Sequence, residues 1–298
     1  MATGYILYNE KAGDPNSFRQ VRDLKKLIDD ELKFINVLDV SDYKVFLGGL
    51  ENDDYIVIAG GDGTLNRFVN NTDGIEFDND VLYFPAGTGN DFALDVGYSK
   101  YSKPFSIRKY LKDLPYVTVN GKNYRFINGV GYGIDGYCCE VGDKLKELPE
   151  RKVNYTSIAI KGLLFHYKPT NARVTVDRKT YTYQKVWLAP TMHGRFYGGG
   201  MMPTPAQSRN NGDGLLSTLI FHSSGKLKTL MVFPLLFKGE HIKHEKIAEV
   251  LSGHEITVEF DRPVALQIDG ETILNVKSYT ACSPAHMRAK EEFAALNV

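Results

Sequence analysis

Three cysteines in 298 residues, Cys138 and Cys139 adjacent and Cys282 far off, are too few and too badly spaced for a disulfide framework or a cysteine metal site. They read as small buried hydrophobes, a usage that suits a reducing compartment. Histidine is equally uninformative about metals: among the seven, His241 and His244 stand close together but lack Glu or Cys partners at zinc spacing and read as exposed. His193 is the one histidine placed near substrate, because it precedes the glycine-rich run Tyr197–Gly200. Charge of either sign is not in excess, Lys plus Arg equalling Asp plus Glu at 36 each. No global field is therefore present to recruit nucleic acid or an acidic membrane without local patches. Long apolar runs are missing too, since Leu230–Phe237 falls far short of the ~20 residues a bilayer-spanning helix needs. The first residues show no basic segment leading into an apolar stretch and a small-residue cleavage site. The expectation is a cytoplasmic protein whose membrane contact is peripheral, without internal repeats or low-complexity linkers.

What is present favours an enzyme-sized chain of two domains, because 298 residues exceed the usual single core and 43% of them are hydrophobic. The first part alternates strand patterns (Tyr5–Tyr8, Phe34–Val40, Tyr55–Ala59, Val81–Phe84) with helical ones (Ser17–Leu32, Asn66–Asn71, Ser106–Leu111). Such alternation predicts a parallel sheet with flanking helices. After about residue 115 the texture turns to short strands punctuated by turn signals, Pro115–Val119 before Asn120-Gly121 and Ala172–Val176 before Asp177–Lys179, running on through Leu215–Phe221, Glu255–Phe260, Ala265–Ile268 and Ile273–Tyr279. Helices are expected within it at Tyr155–Tyr167, Lys226–Phe237 and Glu245–Leu251. The fold class expected is an α/β N-terminal domain, residues 1–118, and a β-rich, antiparallel, sandwich-like C-terminal domain, residues 119–282.

Three strand patterns empty into turns rich in glycine or small polar residues. Tyr55–Ala59 leads into Gly60-Gly61-Asp62-Gly63-Thr64, Val81–Phe84 into Pro85-Ala86-Gly87-Thr88-Gly89-Asn90-Asp91, and Tyr5–Tyr8 into Asn9–Gly13. Without Cβ, glycine lets backbone N–H groups come close to an anion, and a helix beginning near Asn66 would add its positive end. A carboxylate at Asp62 beside phosphates makes sense mainly with Mg²⁺ between them. Consecutive parallel strands can place all three turns at one carboxyl edge. Taken singly, each is also an ordinary strand-to-helix turn.

In this order the motifs resemble the diacylglycerol kinase catalytic-domain family, which includes sphingosine and ceramide kinases and bacterial lipid kinases, and the likeness covers nearly the whole chain. The family's Asn-Pro-x-x-Gly, GGDGTxNE and PxGTxNDFA turns match Asn9–Gly13, Gly60–Asn66 and Pro85–Ala93, the third being the most specific. Tyr197–Met201, Pro205-Ala206 and Asp213–Leu216 are similar to its GGGM…PxA…DGxL series, and Asp269-Gly270-Glu271 to its Asp-Gly-Glu signature.

The resemblance implies an ATP-dependent lipid kinase acting on a neutral lipid, most readily diacylglycerol, with ATP and Mg²⁺ as cofactors. It implies that Asn9, Lys11, Gly60, Gly61, Asp62, Gly63, Thr64, Asn66, Gly87, Thr88, Gly89, Asn90, Asp91, Gly270 and Glu271 hold the nucleotide. Asp62 and Asp213 are its metal candidates, and Asp269, placed across an interdomain cleft, is its general base. On the residues alone, Lys11 is as readily a solvated loop lysine, and Asp269-Gly270 is a common hairpin turn. The family also returns its C-terminal stretch, here 283–298, to the first domain, and leaves a homodimer open. Ile158, Leu163, Leu164 and Phe165 are candidates for acyl-chain contact or simply core.

The chain departs from the family at four places: Glu10 for proline, Arg67 for glutamate, and Gly212 and Ser217 where acidic residues are common. The last two put the metal role of Asp213 in question. Gly131–Gly136 satisfies GxGxxG, yet it sits mid-chain in β-rich sequence rather than in a first βαβ unit. It reads as a loop, with Asn128 and Gly133 lining the pocket by the resemblance. An NAD kinase shares GGDGT and a β-rich second domain, but its TPTGSTAY segment has no match here. A lipid- or nucleotide-binding relative without catalysis is the other alternative.

Overall fold

The computed structural model describes residues 2–10, 15–100, 102–146 and 153–286 and forms two compact units, the first ending at Leu114 and the second starting at Pro115. The first unit strings β1 (Thr3–Tyr8), α1 (Pro15–Arg22), β2 (Glu31–Asn36), α2 (Tyr43–Gly48), β3 (Tyr55–Gly60), α3 (Asp62–Asn71), β4 (Asp80–Pro85), α4 (Asp91–Asp95), β5 (Phe105–Ser106) and α5 (Arg108–Leu111). Its sheet runs β2-β1-β3-β4-β5, parallel except for the last pair. Because Ile56, Val57 and Ile58 are buried on both faces, β3 reads as a continuous apolar run, as a central parallel strand must. Ile6, Val57, Ala59 and Phe84 pack against Val21 and Leu24.

Helix boundaries moved more than strand boundaries. The pattern over Ser17–Leu32 forms only α1 and a 3-10 turn at Asp23–Lys26, and β2 begins where helix was expected. Helix α2 was missed, although Asp42 is a clear start signal: its carboxylate accepts the N–H groups of Lys44 and Val45.

The second unit contains β6 (Tyr116–Val119), β7 (Lys122–Arg125), β8 (Gly129–Tyr132), α6 (Ile134–Lys146), α7 (Tyr155–Lys161), β9 (Thr170–Val176), β10 (Lys179–Val186), β11 (Thr191–Met192), β12 (Leu216–Phe221), α8 (Lys226–Val232), β13 (Ala248–Gly253), β14 (Glu255–Ile268) and β15 (Glu271–Cys282). The sheet path β13-β12-β11-β8-β14-β15-β6-β7 is antiparallel throughout, with β9 pairing both β10 and β14. Strand β14 is long enough to pair with β9 through its first half and β8 through its second, with register shifts between. Those irregularities bend the sheet over one apolar core that includes Val174, Tyr132, Phe260 and Leu266.

Two expectations fail in this unit. Glu245–Leu251 was expected as helix, yet residues 248–253 form β13, because β12 offers a complete antiparallel partner from Leu216↔Gly253 to Phe221↔Ala248. His241, read as exposed, is fully buried, with Nε2 2.8 Å from the Pro203 carbonyl. The C-terminal stretch 283–298, whose return to the first domain the resemblance implies, lies from residue 287 on outside the described residues.

Candidate active site

The parallel register places the ends of β1, β3 and β4 side by side, with Tyr8 opposite Ala59 and Gly60 opposite Pro85. All three motif turns therefore leave the same carboxyl edge of the sheet. The second and third are locked to each other. The Asp62 N–H donates to the Gly89 carbonyl at 3.1 Å. The Asp62 carboxylate in turn accepts the N–H of Asp91 on Oδ2 (2.8 Å) and of Phe92 on Oδ1 (3.0 Å), capping the start of α4. A capping interaction of this kind contributes about 1 kcal/mol. Below them, the Tyr83 hydroxyl donates to the Gly60 carbonyl at 3.1 Å and lies 3.4 Å from the Asn90 Oδ1. Burial, with Asp62 and Asp91 nearby, pushes that phenol well above its ordinary range.

Glycine is required here for a reason that sequence reasoning did not supply. A Cβ on Gly87 would lie 2.2 Å from the Cα of Gly61, and one on Gly61 would lie 2.5 Å from the carbonyl oxygen of Gly89. The absent side chains allow two backbones to touch, which sets the shape of the joint turn before any ligand is considered. Facing outward, Thr88 is exposed and Gly63 and Gly89 are half-buried. Their backbone N–H groups donate to no protein acceptor among the described residues. Helix α3 starts at Asp62, not near Asn66, so Gly63 lies in its first turn, whose N–H groups have no partner within the helix.

Among the expected nucleotide residues, the structure joins Gly60–Thr64 to Gly87–Asp91 and puts Asn9 at the same sheet edge. Thr64, Asn66 and Asp91 are buried, and Asn66 accepts from the Asn70 amide within α3. Lys11 lies outside the described residues.

In the second unit, Asp269 and Gly270 form the tight turn between β14 and β15, with φ of 47° and 95°. Glu271 is exposed where β15 begins, and the Gly270 N–H donates to the Gln267 side chain at 2.7 Å. The Asp269 carboxylate is buried and accepts three backbone N–H groups: Ile127 at 2.6 Å on Oδ2, Asn128 at 2.8 Å and Gly129 at 3.0 Å on Oδ1. Asn128 is buried in its turn, with Oδ1 accepting from Arg209 at 3.1 Å and its carbonyl accepting the N–H groups of His193 and Gly194. Burial and the Arg209 charge push His193 down to about 3.

The segment Gly131–Gly136, expected as a loop, is instead the junction of β8 and α6. It carries the functional candidate that sequence reasoning missed, Asp135. This residue is 8% exposed, its two carboxyl oxygens make no hydrogen bond of good geometry among the described residues, and a Cβ on Gly131 would lie 1.8 Å from its Oδ2. Burial raises its carboxyl to about 7, while the backbone N–H groups of Gly136 and Asp135, and then the Tyr197 and Gln267 side chains, pull the other way. Its sequence signal was an aspartate inside an apolar, glycine-spaced stretch. Such a residue is either mispredicted as loop or built into a site.

The described residues do not assemble a resident Mg²⁺ site. Both oxygens of Asp62 are engaged by backbone N–H groups, Asp213 is exposed, and among the described residues no three His, Cys, Asp or Glu side chains converge on a cation. Around Asp213 the work falls to neutral amides. Gln207 Nε2 donates to the carbonyls of His193 (3.1 Å) and Leu215 (3.0 Å), Asn211 Nδ2 donates to the same Leu215 oxygen (2.9 Å), and Ser217 donates to Gln207 Oε1 (2.6 Å). Of the two departures, Gly212 thus falls in a loop closed by side-chain amides, and Ser217 stands at the start of β12 beside it.

Comparison with known proteins agrees with this architecture. The diacylglycerol kinase catalytic domain model matches residues 3–114, and the model described as the YegS C-terminal NAD kinase beta sandwich-like domain matches residues 128–289. The chain belongs to the diacylglycerol kinase family of lipid kinases, whose catalytic and C-terminal domains it carries in order. A Mycobacterium tuberculosis diacylglycerol kinase is 25% identical over 243 residues, covering 79% of this chain and 76% of that one. Two crystal structures from Bacillus anthracis str. Sterne superpose at TM-scores of 0.65 and 0.57, the latter described as a diacylglycerol kinase. Each is 18% identical and covers 95% of this chain and 94% of the other, a likeness of fold.

Proposed function

We propose that this protein is an ATP-dependent lipid kinase that transfers the γ-phosphate of ATP to the hydroxyl of a neutral lipid, with diacylglycerol giving phosphatidic acid. The observation that carries the reading is the double turn at Gly61 and Gly87. Two backbones locked in contact leave the N–H groups of Gly63, Thr88 and Gly89 without a protein acceptor among the described residues, beside the start of α3, a ready cradle for phosphate oxygens. Preorganised donors of this kind supply most of what phosphoryl transfer asks of a protein.

In the reaction the lipid hydroxyl oxygen bonds to the γ-phosphorus, the bond to the bridging oxygen breaks to release ADP, and the hydroxyl proton passes to a carboxylate. Asp269 is the residue for that role by family resemblance, and its three N–H contacts fix the carboxylate's orientation. Asp135 is a second candidate on geometry, since a carboxyl brought to about 7 by burial is matched to proton transfer near neutral pH.

The test is transfer of labelled phosphate from ATP across a panel of dispersed diacylglycerol, sphingosine, ceramide, phosphatidylglycerol and NAD. Label in phosphatidic acid is expected. Label in NADP alone would replace the reading by an NAD kinase, and no transfer to any acceptor would leave a binding protein without catalysis.

A further inference from the structure

The second unit presents a face that neither the fold nor the chemistry described so far uses. Helix α7 continues into a π-helical turn over Gly162–His166, and α8 into a 3-10 segment over Phe233–Lys238. The two segments lie against each other: the Lys226 ammonium donates to the Leu164 carbonyl at 2.7 Å, and Leu163, Val232 and Leu236 share one buried cluster. With those inward residues satisfied, the segments still turn large apolar side chains to solvent. Phe165 is 73% exposed, Leu227 74% and Met231 70%, and Leu227 and Met231 stand one helical turn apart on the same face of α8. Single exposed apolar residues are ordinary, but several on neighbouring elements call for a partner.

The charges around them say which partner. Residues 155–168 and 225–239 contain Lys161, Lys168, Lys226, Lys228 and Lys238 and no Asp or Glu, in a chain whose charges as a whole balance at 36 of each sign. All five lysines are exposed. Apolar tips framed by cations with no acidic neighbour on either segment suit the interface of a bilayer carrying anionic headgroups. There the tips enter the acyl boundary and the lysine stems lie along it with their ammonium groups at the phosphates. A protein partner of matching chemistry would have to offer an acidic rim around an apolar socket; a bilayer offers both over any area.

We infer that this face of α7 and α8, tipped by Phe165, Leu227 and Met231, is the surface on which the protein docks to an anionic membrane. The inference deepens the lipid kinase reading by assigning its membrane contact, and it rests on that reading only for the purpose of docking. It is tested by sedimentation of the full chain, without ATP or diacylglycerol, with phosphatidylcholine vesicles and with vesicles containing roughly one third phosphatidylglycerol.

The wild type is expected to partition onto the anionic vesicles at least about tenfold more strongly than onto neutral ones and to be released by salt. The triple variant F165S/L227S/M231S, checked for an unchanged melting curve, is expected to lose about tenfold or more of that partition. Wild-type protein that ignores anionic vesicles, or a folded triple variant that binds as the wild type does, overturns the inference. So does a wild-type dimer that the same substitutions split, because a second copy would then cover the face. Turnover of a short-chain, water-dispersed diacylglycerol measured in parallel keeps the two questions apart: activity without vesicle binding removes the docking face and leaves the kinase reading standing.

Discussion

Asp62 in the first unit and Asp269 in the second are two of the motif aspartates, each followed by glycine at the end of a strand, and the structure gives them the same mechanical task. Asp62 takes the N–H groups of Asp91 and Phe92; Asp269 takes those of Ile127, Asn128 and Gly129. Each carboxylate ties its own turn to a second loop distant in sequence. Asp135 is the contrast: no hydrogen bond of good geometry holds its oxygens among the described residues, and burial brings it to about 7 against the smaller pull of the Gly136 and Asp135 N–H groups. A buried carboxyl that backbone amides hold is already committed to shape. One that they do not hold keeps its proton to give or take.

The sharpest way to break the comparison is at the turn-to-turn contact. Gly87→Ala should destabilise the protein by about 3 kcal/mol, since its Cβ meets backbone that cannot rotate away. Gly212→Ala, where a Cβ meets nothing, is the control, and urea unfolding reads both. Equal midpoints for the two variants would show that the glycines serve the ligand and not the contact.

Asp269→Asn comes next. It turns an NH₂ toward backbone N–H groups and should cost about 2 kcal/mol, so lost turnover in this variant has to be read against its melting curve. If the variant melts like the wild type yet is inactive, Asp269 is a proton acceptor; if turnover survives at permissive temperature, its role is structural.

For Asp135 the prediction concerns pH. Its folded-state value is raised from 3.8 to about 7, so the native state holds a proton that the unfolded chain releases. Stability linked to this group is fully present below about pH 4 and is lost as pH rises to about 7, a slope worth up to about 4 kcal/mol in total. Asp135→Asn should flatten that slope in melts between pH 4 and 8. It should also remove any activity limb near pH 7 if Asp135 is the proton acceptor, whereas a structural role would leave that limb in place.

The smallest effect is expected at Gln207. Replacing it by leucine should cost about 1–2 kcal/mol, because three main-chain carbonyls and Ser217 each lose one hydrogen bond, Leu215 keeping Asn211 and Ser217 keeping Ser252. Melting of the ATP-free protein should not respond to Mg²⁺ or to chelator. A saturable rise in melting temperature with Mg²⁺ would restore a cation to this loop.

Much of the fold could be read directly. The apolar runs Tyr55–Ala59 and Val81–Phe84 became β3 and β4 within a residue at each end, because a buried parallel strand needs little beyond β-branched and aromatic side chains and a turn to stop it. Helix starts were harder. Helix α3 begins at Asp62, four residues before the expected point, since Asp and Gly have low helix propensity while the Gly89 carbonyl and the α4 N-terminus that fix them come from another turn. Residues 248–253 have a helix-compatible pattern and form a strand because β12 lies beside them. Asp135 stayed invisible for the same reason: its neighbours Tyr197 and Gln267 are brought to it from two other segments.

The sequence by itself determined the family, the order of α/β and β-rich parts, and the three turns that close β1, β3 and β4, all of which depend on residue types over short spans. Only the tertiary structure decided that Gly61 and Gly87 touch, that Asp62 and Asp269 each cap a second loop, and that Asp135 is buried with no well-formed hydrogen bond among the described residues. Those outcomes turn on which distant segments exclude water from a given side chain, and hydrogen bonds and charge states follow from that exclusion.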